Sequence, residues 1–160
     1  MLECSNGIIA LGFTRYGFAD EAARVAHDVF DAASNVVSYR LPELYAGVAR
    51  ERGAFPVQYA GANVPQAWAA GSLFDFVRAM LGLHGDAPHN CLAVDPHLPD
   101  WLPDLTLQGL KIGAGQVDLR FWREANATRW EVQRQQCNVT VEQKPWRPWQ
   151  FGAQQKQTRA

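Results

Sequence analysis

The sequence predicts an α+β protein in which three helices precede a small antiparallel β-meander. In residues 6–33 and 65–81 the apolar residues recur at helical spacing, whereas from residue 105 onward they alternate with polar residues, as in half-exposed strands. Between these parts, residues 85–103 are rich in proline, aspartate and histidine, which marks a boundary. We therefore expect a helical segment over residues 1–84, a β-rich cap over 85–143 and a polar, partly disordered tail over 144–160.

The predicted helices begin with a hairpin. Residues 6–16 form a short helix that ends at Gly17, and residues 20–33 form a second helix with one apolar face. A third helix runs from Pro65 to about Leu81, because proline suits a first helical turn. Its apolar arc is too wide for a surface helix, which predicts packing on more than one side. The predicted core face carries Ala70, Leu73, Phe74, Val77 and Leu81, flanked by Ala69, Phe76 and Met80.

The remaining segments are a long loop and the strands. Residues 34–64 have no regular pattern and are too long for a simple connector, so we expect a functional loop. Strands are predicted at residues 105–107, 117–121 and 128–132, separated by turns rich in glycine, alanine and asparagine. Residues 139–142 are expected to form the last strand of the meander.

Composition limits the partners and the compartment. The 160 residues are 48% apolar and 19% charged, which is typical of a globular protein. The formal net charge is -1 and no basic run could neutralise several phosphates, which argues against nucleic acid. Cys4, Cys91 and Cys137 are widely spaced and favour a reducing compartment. Without a basic leader or an apolar run of membrane-spanning length, the chain is expected to be cytoplasmic and away from membranes.

Two residue clusters allow a functional and a structural interpretation. The linker crowds His84, Asp86, His89, Asp95 and His97, but their spacing matches no ligand template, so we predict neither a metal site nor a cofactor. Four tryptophans could form a carbohydrate platform on the sheet, although two of them fit cross-strand pairs or packing on the helices better. The four are Trp122, Trp130, Trp146 and Trp149. The two for which cross-strand pairing or packing on the helices is favoured are Trp122 and Trp130.

The long loop and the third helix carry residues suited to sugar chemistry. Glu43 follows a stiff proline, and a carboxylate can activate water for hydrolysis of a glycosidic bond. Trp68 offers an apolar face to a sugar ring, and Gln66 offers an amide. The alternatives are a solvated Glu43, a core position for Trp68, and a Gln66 that binds exposed backbone or water. Tyr45 and Tyr59 complete the candidate substrate-binding set.

A series of motifs follows one order along the chain. It comprises Ile9-Ala10-Leu11-Gly12-x-x-Arg15-Tyr16-Gly17, Leu41-Pro42-Glu43-Leu44, Pro56-Val57-Gln58-Tyr59, Pro65-Gln66-Ala67-Trp68-Ala69-Ala70-Gly71, Leu92-x-Val94-Asp95-Pro96-x-Leu98-Pro99 and Val117-Asp118-Leu119-Arg120-Phe121-Trp122-Arg123. Over roughly residues 5 to 135 this series resembles the C-terminal region of bacterial amylo-α-1,6-glucosidases of the glycogen debranching type. It also resembles the wider mannosylglycerate hydrolase-like group.

The resemblance implies the end of an (α/α)6 toroid and an inverting glycoside hydrolase acting on an α-glucan or a small glucoside. Glu43 matches the catalytic base of the family, while Gln66 and Trp68 match the helix that lines its pocket. Residues 2–6 and 62–64 depart from the family pattern, the latter where Ala-Cys is expected before the third helix. The general acid of the family lies far upstream of Glu43, beyond Met1, so the isolated chain is expected to be inactive.

The partners expected on this basis are the N-terminal part of the enzyme or a second copy of the chain. An alternative is a carbohydrate-binding or interaction module that kept a sugar-facing surface and lost the chemistry. Intact tryptophans combined with a dispensable Glu43 would favour that alternative. A gene fragment whose other helices are encoded upstream is a third interpretation.

Overall fold

A computed structural model describes residues 3–49, 51 and 54–145. Within these residues the chain is α+β, as the sequence predicts, with three α-helices followed by short sheets. The helices are α1 (Glu3–Arg15), α2 (Ala19–Ser34) and α3 (Ala67–Leu81). The strands are β1 (His84–Asp86), β2 (Cys91–Val94), β3 (Asp104–Ile112), β4 (Gly115–Glu124), β5 (Ala127–Gln136) and β6 (Thr140–Gln143). Short 3-10 turns cover Val37–Tyr39 and Ala87–His89.

The three helices pack closely through small residues. Gly17 ends α1 at a φ of +90°, and the Phe18 amide then donates to the Phe13 carbonyl at 2.8 Å, which starts the turn into α2. Gly7 lets α1 approach α3, because a Cβ at this position would lie 3.1 Å from the Ser72 Cα. The resulting core contains Ala10, Ala22, Ala26, Val29, Leu41, Ala69, Phe76, Ala79 and Met80.

The predicted core face of α3 is wrong for two residues. Ala70 and Phe74 are exposed, whereas Phe76 is fully buried and lies edge-on to Phe30 of α2, with ring centroids 6.0 Å apart. Leu81, on the same predicted face, is buried against the sheets. An apolar arc this wide is compatible with several orientations, so the neighbouring helices decide which part of it is buried.

The first of the two sheets is the predicted meander, in the order β3-β4-β5. Val117, Leu119 and Phe121 of its central strand are buried at alternate positions. On the other face of β4, the Arg120 guanidinium donates to the Asp104 carboxylate at 2.7 Å, and this bond raises the pKa of Arg120.

The last strand does not belong to the meander. β6 pairs in parallel with β2, and β1 pairs with β2 in antiparallel, which forms a second sheet in the order β1-β2-β6. β1 and β2 lie in the segment that the sequence predicts to be a linker, because strands of three or four residues are too short to show alternation. The parallel pairing is made by a return of the chain through Cys137 and Asn138, both at positive φ.

The tryptophans of the sheet are not paired with each other. Trp130 lies opposite Phe121 and packs on the apolar cluster of the sheets, while Trp122 lies opposite Arg129. Trp101 instead contacts α2, with its ring 5.8 Å from Phe30. Trp146, Trp149 and the predicted tail from residue 146 lie outside the described residues.

Two apolar clusters make up the core of the described residues. One lies among the helices, and the other joins Leu81 and Leu83 to the inner faces of both sheets. Leu102 packs against both clusters. None of the helices described is both long enough and apolar enough to cross a membrane.

Candidate functional site

The candidate residues lie mostly on a hairpin-like ribbon that leads into α3. In this ribbon, residues 41–46 run beside residues 57–66. The Ala46 amide donates to the Val57 carbonyl at 2.8 Å, and the Gln66 amide donates to the Leu41 carbonyl at 3.4 Å. Leu41 is buried in the helical cluster and anchors the ribbon to the helices. The loop predicted between α2 and α3 is therefore held against the helical core at this end.

Glu43 is half-buried, and Asn63 binds it through both backbone and side chain. The Glu43 amide donates to the Asn63 carbonyl at 3.0 Å. In return, the Oε2 of Glu43 accepts from Asn63 Nδ2 at 2.8 Å and from the Asn63 amide at 3.3 Å. Two donors on one oxygen fix the orientation of the carboxylate. Such a group can accept a proton from a water molecule at a defined position.

The other ribbon residues differ in exposure. Tyr45 is half-buried against the helical cluster and forms an isolated β-bridge with Gln58. Tyr59 is exposed, and its amide donates to the Leu44 carbonyl at 3.2 Å. Gln66 lies at the N-cap position of α3, but its side chain makes no capping hydrogen bond. Its amide group is therefore not used to cap the helix.

Trp68 projects from the first turn of α3 and is 72% exposed, so it is not a core anchor within the described residues. It lines a groove of about 340 Å³ between α1 and α3. Gly71 leaves the groove open, since a Cβ at this position would meet nothing within 4 Å. Asp75 lies one turn further along and forms an ion pair with Arg78 at 3.0 Å. The groove thus combines an aromatic face, an open floor and a carboxylate.

The candidate side chains do not all surround one cavity. Tyr45 lines a separate cavity of about 380 Å³ that is formed by the ribbon together with residues 48, 49, 51 and 54–57. Glu43 lines neither this cavity nor the Trp68 groove. Glu43, Tyr45, Tyr59 and Gln66 therefore lie on the same ribbon. Tyr45 and Trp68, however, line two different cavities.

The crowded linker residues separate into two places. His84 and Asp86 line a cavity beside the end of α1, whereas Asp95 and His97 line a polar cavity of about 580 Å³ near the start of α2. His89 contacts Asp86 at 2.8 Å. Among the described residues, no group of three or more His, Cys, Asp or Glu side chains is placed to hold a metal ion.

Sequence reasoning missed Asn63 as the partner of Glu43. The available signal was that residues 62–64 depart from the sequence expected before the third helix, because the asparagine stands in that segment. Gly71 and Asp75 were also missed as groove residues, although they follow Trp68 at helical spacings of three and seven residues.

Comparisons with known proteins do not assign the chain to a group. No family model matches it, and a search of curated proteins finds no significant match.

Proposed function

We propose that the chain is the base-bearing end of an inverting glycoside hydrolase of the amylo-α-1,6-glucosidase type, with Glu43 as the general base. The observation that carries this proposal is the half-buried Glu43 carboxylate bound by Asn63 at the entrance to α3. An inverting enzyme needs one carboxylate that accepts a proton from water and a carboxylic acid that protonates the leaving oxygen, about 6.5–9.5 Å away. The acid comes from outside residues 1–160 in this proposal.

The groove beside Trp68 supports a carbohydrate substrate. A sugar ring presents C–H groups on its face and hydroxyls at its edge, which suits an indole next to a carboxylate. Trp68 provides the face, and the second carboxylate oxygen of Asp75, which does not bind Arg78, provides an acceptor for hydroxyls. On the adjacent ribbon, Tyr59 adds a hydroxyl on an exposed side chain, and Gln66 adds an amide that does not cap α3.

The distribution of exposed apolar side chains supports the presence of additional helices that cover the part of the chain between residues 8 and 74. Among the described residues, all but two of the exposed large apolar side chains lie between Ile8 and Phe74, the exceptions being Trp101 and Val132. Phe74 is 73% exposed and Ile8 is 65% exposed, on neighbouring helices. A concentration of large exposed apolar side chains in one part of the chain favours an interface there. In a toroid, additional helices would cover it.

The first test of this proposal is enzymatic complementation. The purified 160-residue chain is expected to release no glucose from a branched α-glucan, because general acid–base assistance is worth about 10²- to 10⁴-fold and the acid is missing. Adding the N-terminal helical region of an enzyme of this type should restore glucose release. Hydrolysis by the chain alone would contradict the proposal, and so would a stable complex that remains inactive.

Sugar binding in the groove gives a second prediction. Maltotriose titrated into the chain should bind about two- to twelvefold more weakly to Trp68→Ala, since an aromatic stacking contact contributes about 0.5–1.5 kcal/mol. Gly71→Leu should abolish binding by filling the groove, although the helix itself tolerates the side chain. Binding can be followed by ligand-observed NMR, which needs no catalysis.

A matched control separates groove filling from general effects on helices. Gly12 of α1 is also a helical glycine with nothing within 4 Å of an added Cβ, and it does not line the groove. Gly12→Leu should therefore bind maltotriose like the parent chain. Equal losses in Gly12→Leu and Gly71→Leu would exclude the groove as the sugar site. Tight binding that needs no partner, with no activity restored by complementation, would favour the non-catalytic module.

A further inference from the structure

The end of α1 borders a cavity that is distinct from the Trp68 groove. It has a volume of about 850 Å³ and lies between the last turn of α1, the 3-10 turn at Ala87–His89 and the sheet β1-β2-β6. None of the described residues in its wall has a large apolar side chain, although small residues form much of the wall. The small ones are Gly82, Gly85, Ala87, Pro88, Ala93 and Pro145. A wall of this composition leaves room for a bulky side chain contributed by another segment.

The described residues end at this cavity. The Lys144 amide donates to the Val94 carbonyl at 2.9 Å, which extends the parallel pairing of β6 with β2 by one residue. Pro145 follows and lines the cavity, and residues 146–160 lie outside the described residues. The part of the chain that follows Pro145 therefore starts at the cavity wall and needs no long span to reach it.

The alternation of side chains along β6 singles out one residue beyond this end. Glu142 and Lys144 both line the cavity, whereas Gln143 between them lines the polar cavity near the start of α2 instead. Successive side chains of an extended chain point to opposite faces. Continuing this alternation by two residues brings Trp146 to the face that carries the cavity, while Trp149 is out of phase with it.

The sequence after residue 145 divides into an aromatic part and a polar part. The aromatic segment, Trp146-Arg147-Pro148-Trp149-Gln150-Phe151, has three large aromatic side chains in six residues. The residues after it, 152–160, contain no large apolar side chain. Burial of one aromatic side chain removes about 150–250 Å² from water, and segments that remain solvated are typically poor in aromatic residues. The composition of the aromatic segment therefore favours contact with the folded part of the chain.

The distribution of charge favours the same contact. Residues 146–160 carry three basic side chains and no acidic one, whereas residues 1–145 carry twelve basic and sixteen acidic side chains. Opposite net charges attract the end of the chain to the folded surface without selecting a place on it. The cavity is selected by its position at Pro145 and by the alternation along β6.

We propose that the aromatic segment occupies this cavity, with the Trp146 indole against the small side chains of the wall and the Trp149 indole outside it. Bound in this way, the segment joins the end of α1 to the sheet β1-β2-β6. The docking does not depend on the glycosidase proposal, because it uses none of the residues of the ribbon or of the Trp68 groove.

The first test compares the two tryptophans of the segment in the full chain. Trp146→Ala should lower Tm by about 5–10 °C because it removes a buried indole, whereas Trp149→Ala should change Tm by less than about 2 °C. Thermal unfolding followed by circular dichroism measures both. Equal shifts for the two variants, or a larger shift for Trp149→Ala, would overturn the proposal.

Cys91 supplies a second readout that does not depend on the melting transition. It lines the cavity, whereas Cys137 is exposed elsewhere and serves as an internal control. Trp146→Ala should accelerate the alkylation of Cys91 by iodoacetamide several-fold and leave that of Cys137 unchanged, as measured by peptide mass spectrometry. Indole added to Trp146→Ala should restore the slow rate by binding in the vacated space. Equal Cys91 rates in the parent chain and in Trp146→Ala would exclude Trp146 as the occupant.

Filling the cavity from its wall gives an independent check. Ala93→Leu places a larger side chain in the space proposed for Trp146, so it should lower Tm in the parent chain but not in Trp146→Ala. Additive effects of the two substitutions would rule out contact between these positions. The Cys91 rate of the parent chain should also be independent of protein concentration, and a rate that falls with concentration would mean that a second copy supplies the segment, contrary to the proposal.

Discussion

Phe76→Ala is expected to lower the free energy of unfolding by about 3–5 kcal/mol, the usual cost of removing a buried phenylalanine. Phe76 is 0% exposed, contacts Phe30 edge-on and lies at the centre of the helical cluster. Truncation to alanine leaves a cavity between α2 and α3, because the neighbouring side chains are closely packed and cannot move far enough to fill it. Urea unfolding followed by circular dichroism measures the change.

Phe74→Ala is the matched control for this prediction. It removes the same side chain two positions earlier on the same helix, but Phe74 is 73% exposed. The free energy of unfolding should change by only about 0.5 kcal/mol, as is usual at exposed positions. Similar losses for both variants would mean that Phe74 is also buried in solution, for instance by self-association. Repeating the measurement at several protein concentrations distinguishes that case.

Glu43→Gln is expected to reduce the activity of the complemented enzyme by about 10²- to 10⁴-fold, the range for loss of a general base. The amide of glutamine keeps an oxygen that can accept the Asn63 hydrogen bonds, so the ribbon should keep its geometry. Maltotriose binding should therefore be unchanged, and the loss should appear in kcat. Glucose release at saturating substrate measures it.

Two variants test whether the effect is specific to Glu43. Glu21→Gln removes an exposed carboxylate from α2, outside the ribbon and the cavities beside it, and should leave kcat unaltered. Asn63→Ala should lower kcat about tenfold, because a charge-assisted hydrogen bond that orients the base is lost while the base itself remains. Full activity in Glu43→Gln would exclude the proposed role of this residue.

The sequence was sufficient to predict the three helices and the meander, for a local reason. Helical spacing and two-residue alternation are properties of continuous segments, and Gly17 ends α1 through its own backbone preference. The small sheet β1-β2-β6 could not be predicted in this way. Its strands are short, and its parallel pairing joins residues about 50 positions apart, such as Cys91 and Thr140.

The candidate site was predictable by residue type but not by arrangement. Glu43 and Trp68 stand out because a carboxylate after proline and an indole at a helix start suit sugar chemistry. Their surroundings depend on which segments meet, and neither the Asn63 contact nor the groove floor at Gly71 follows from a local pattern.

The sequence by itself thus determined the three helices, the three strands of the meander and the residue types available for chemistry, because backbone propensity and side-chain chemistry are local. The tertiary structure alone decided that Phe76 rather than Phe74 is buried and that Asn63 holds Glu43. Each of these outcomes depends on close packing between segments distant in sequence, and a wide apolar arc or a long loop is compatible with several such packings.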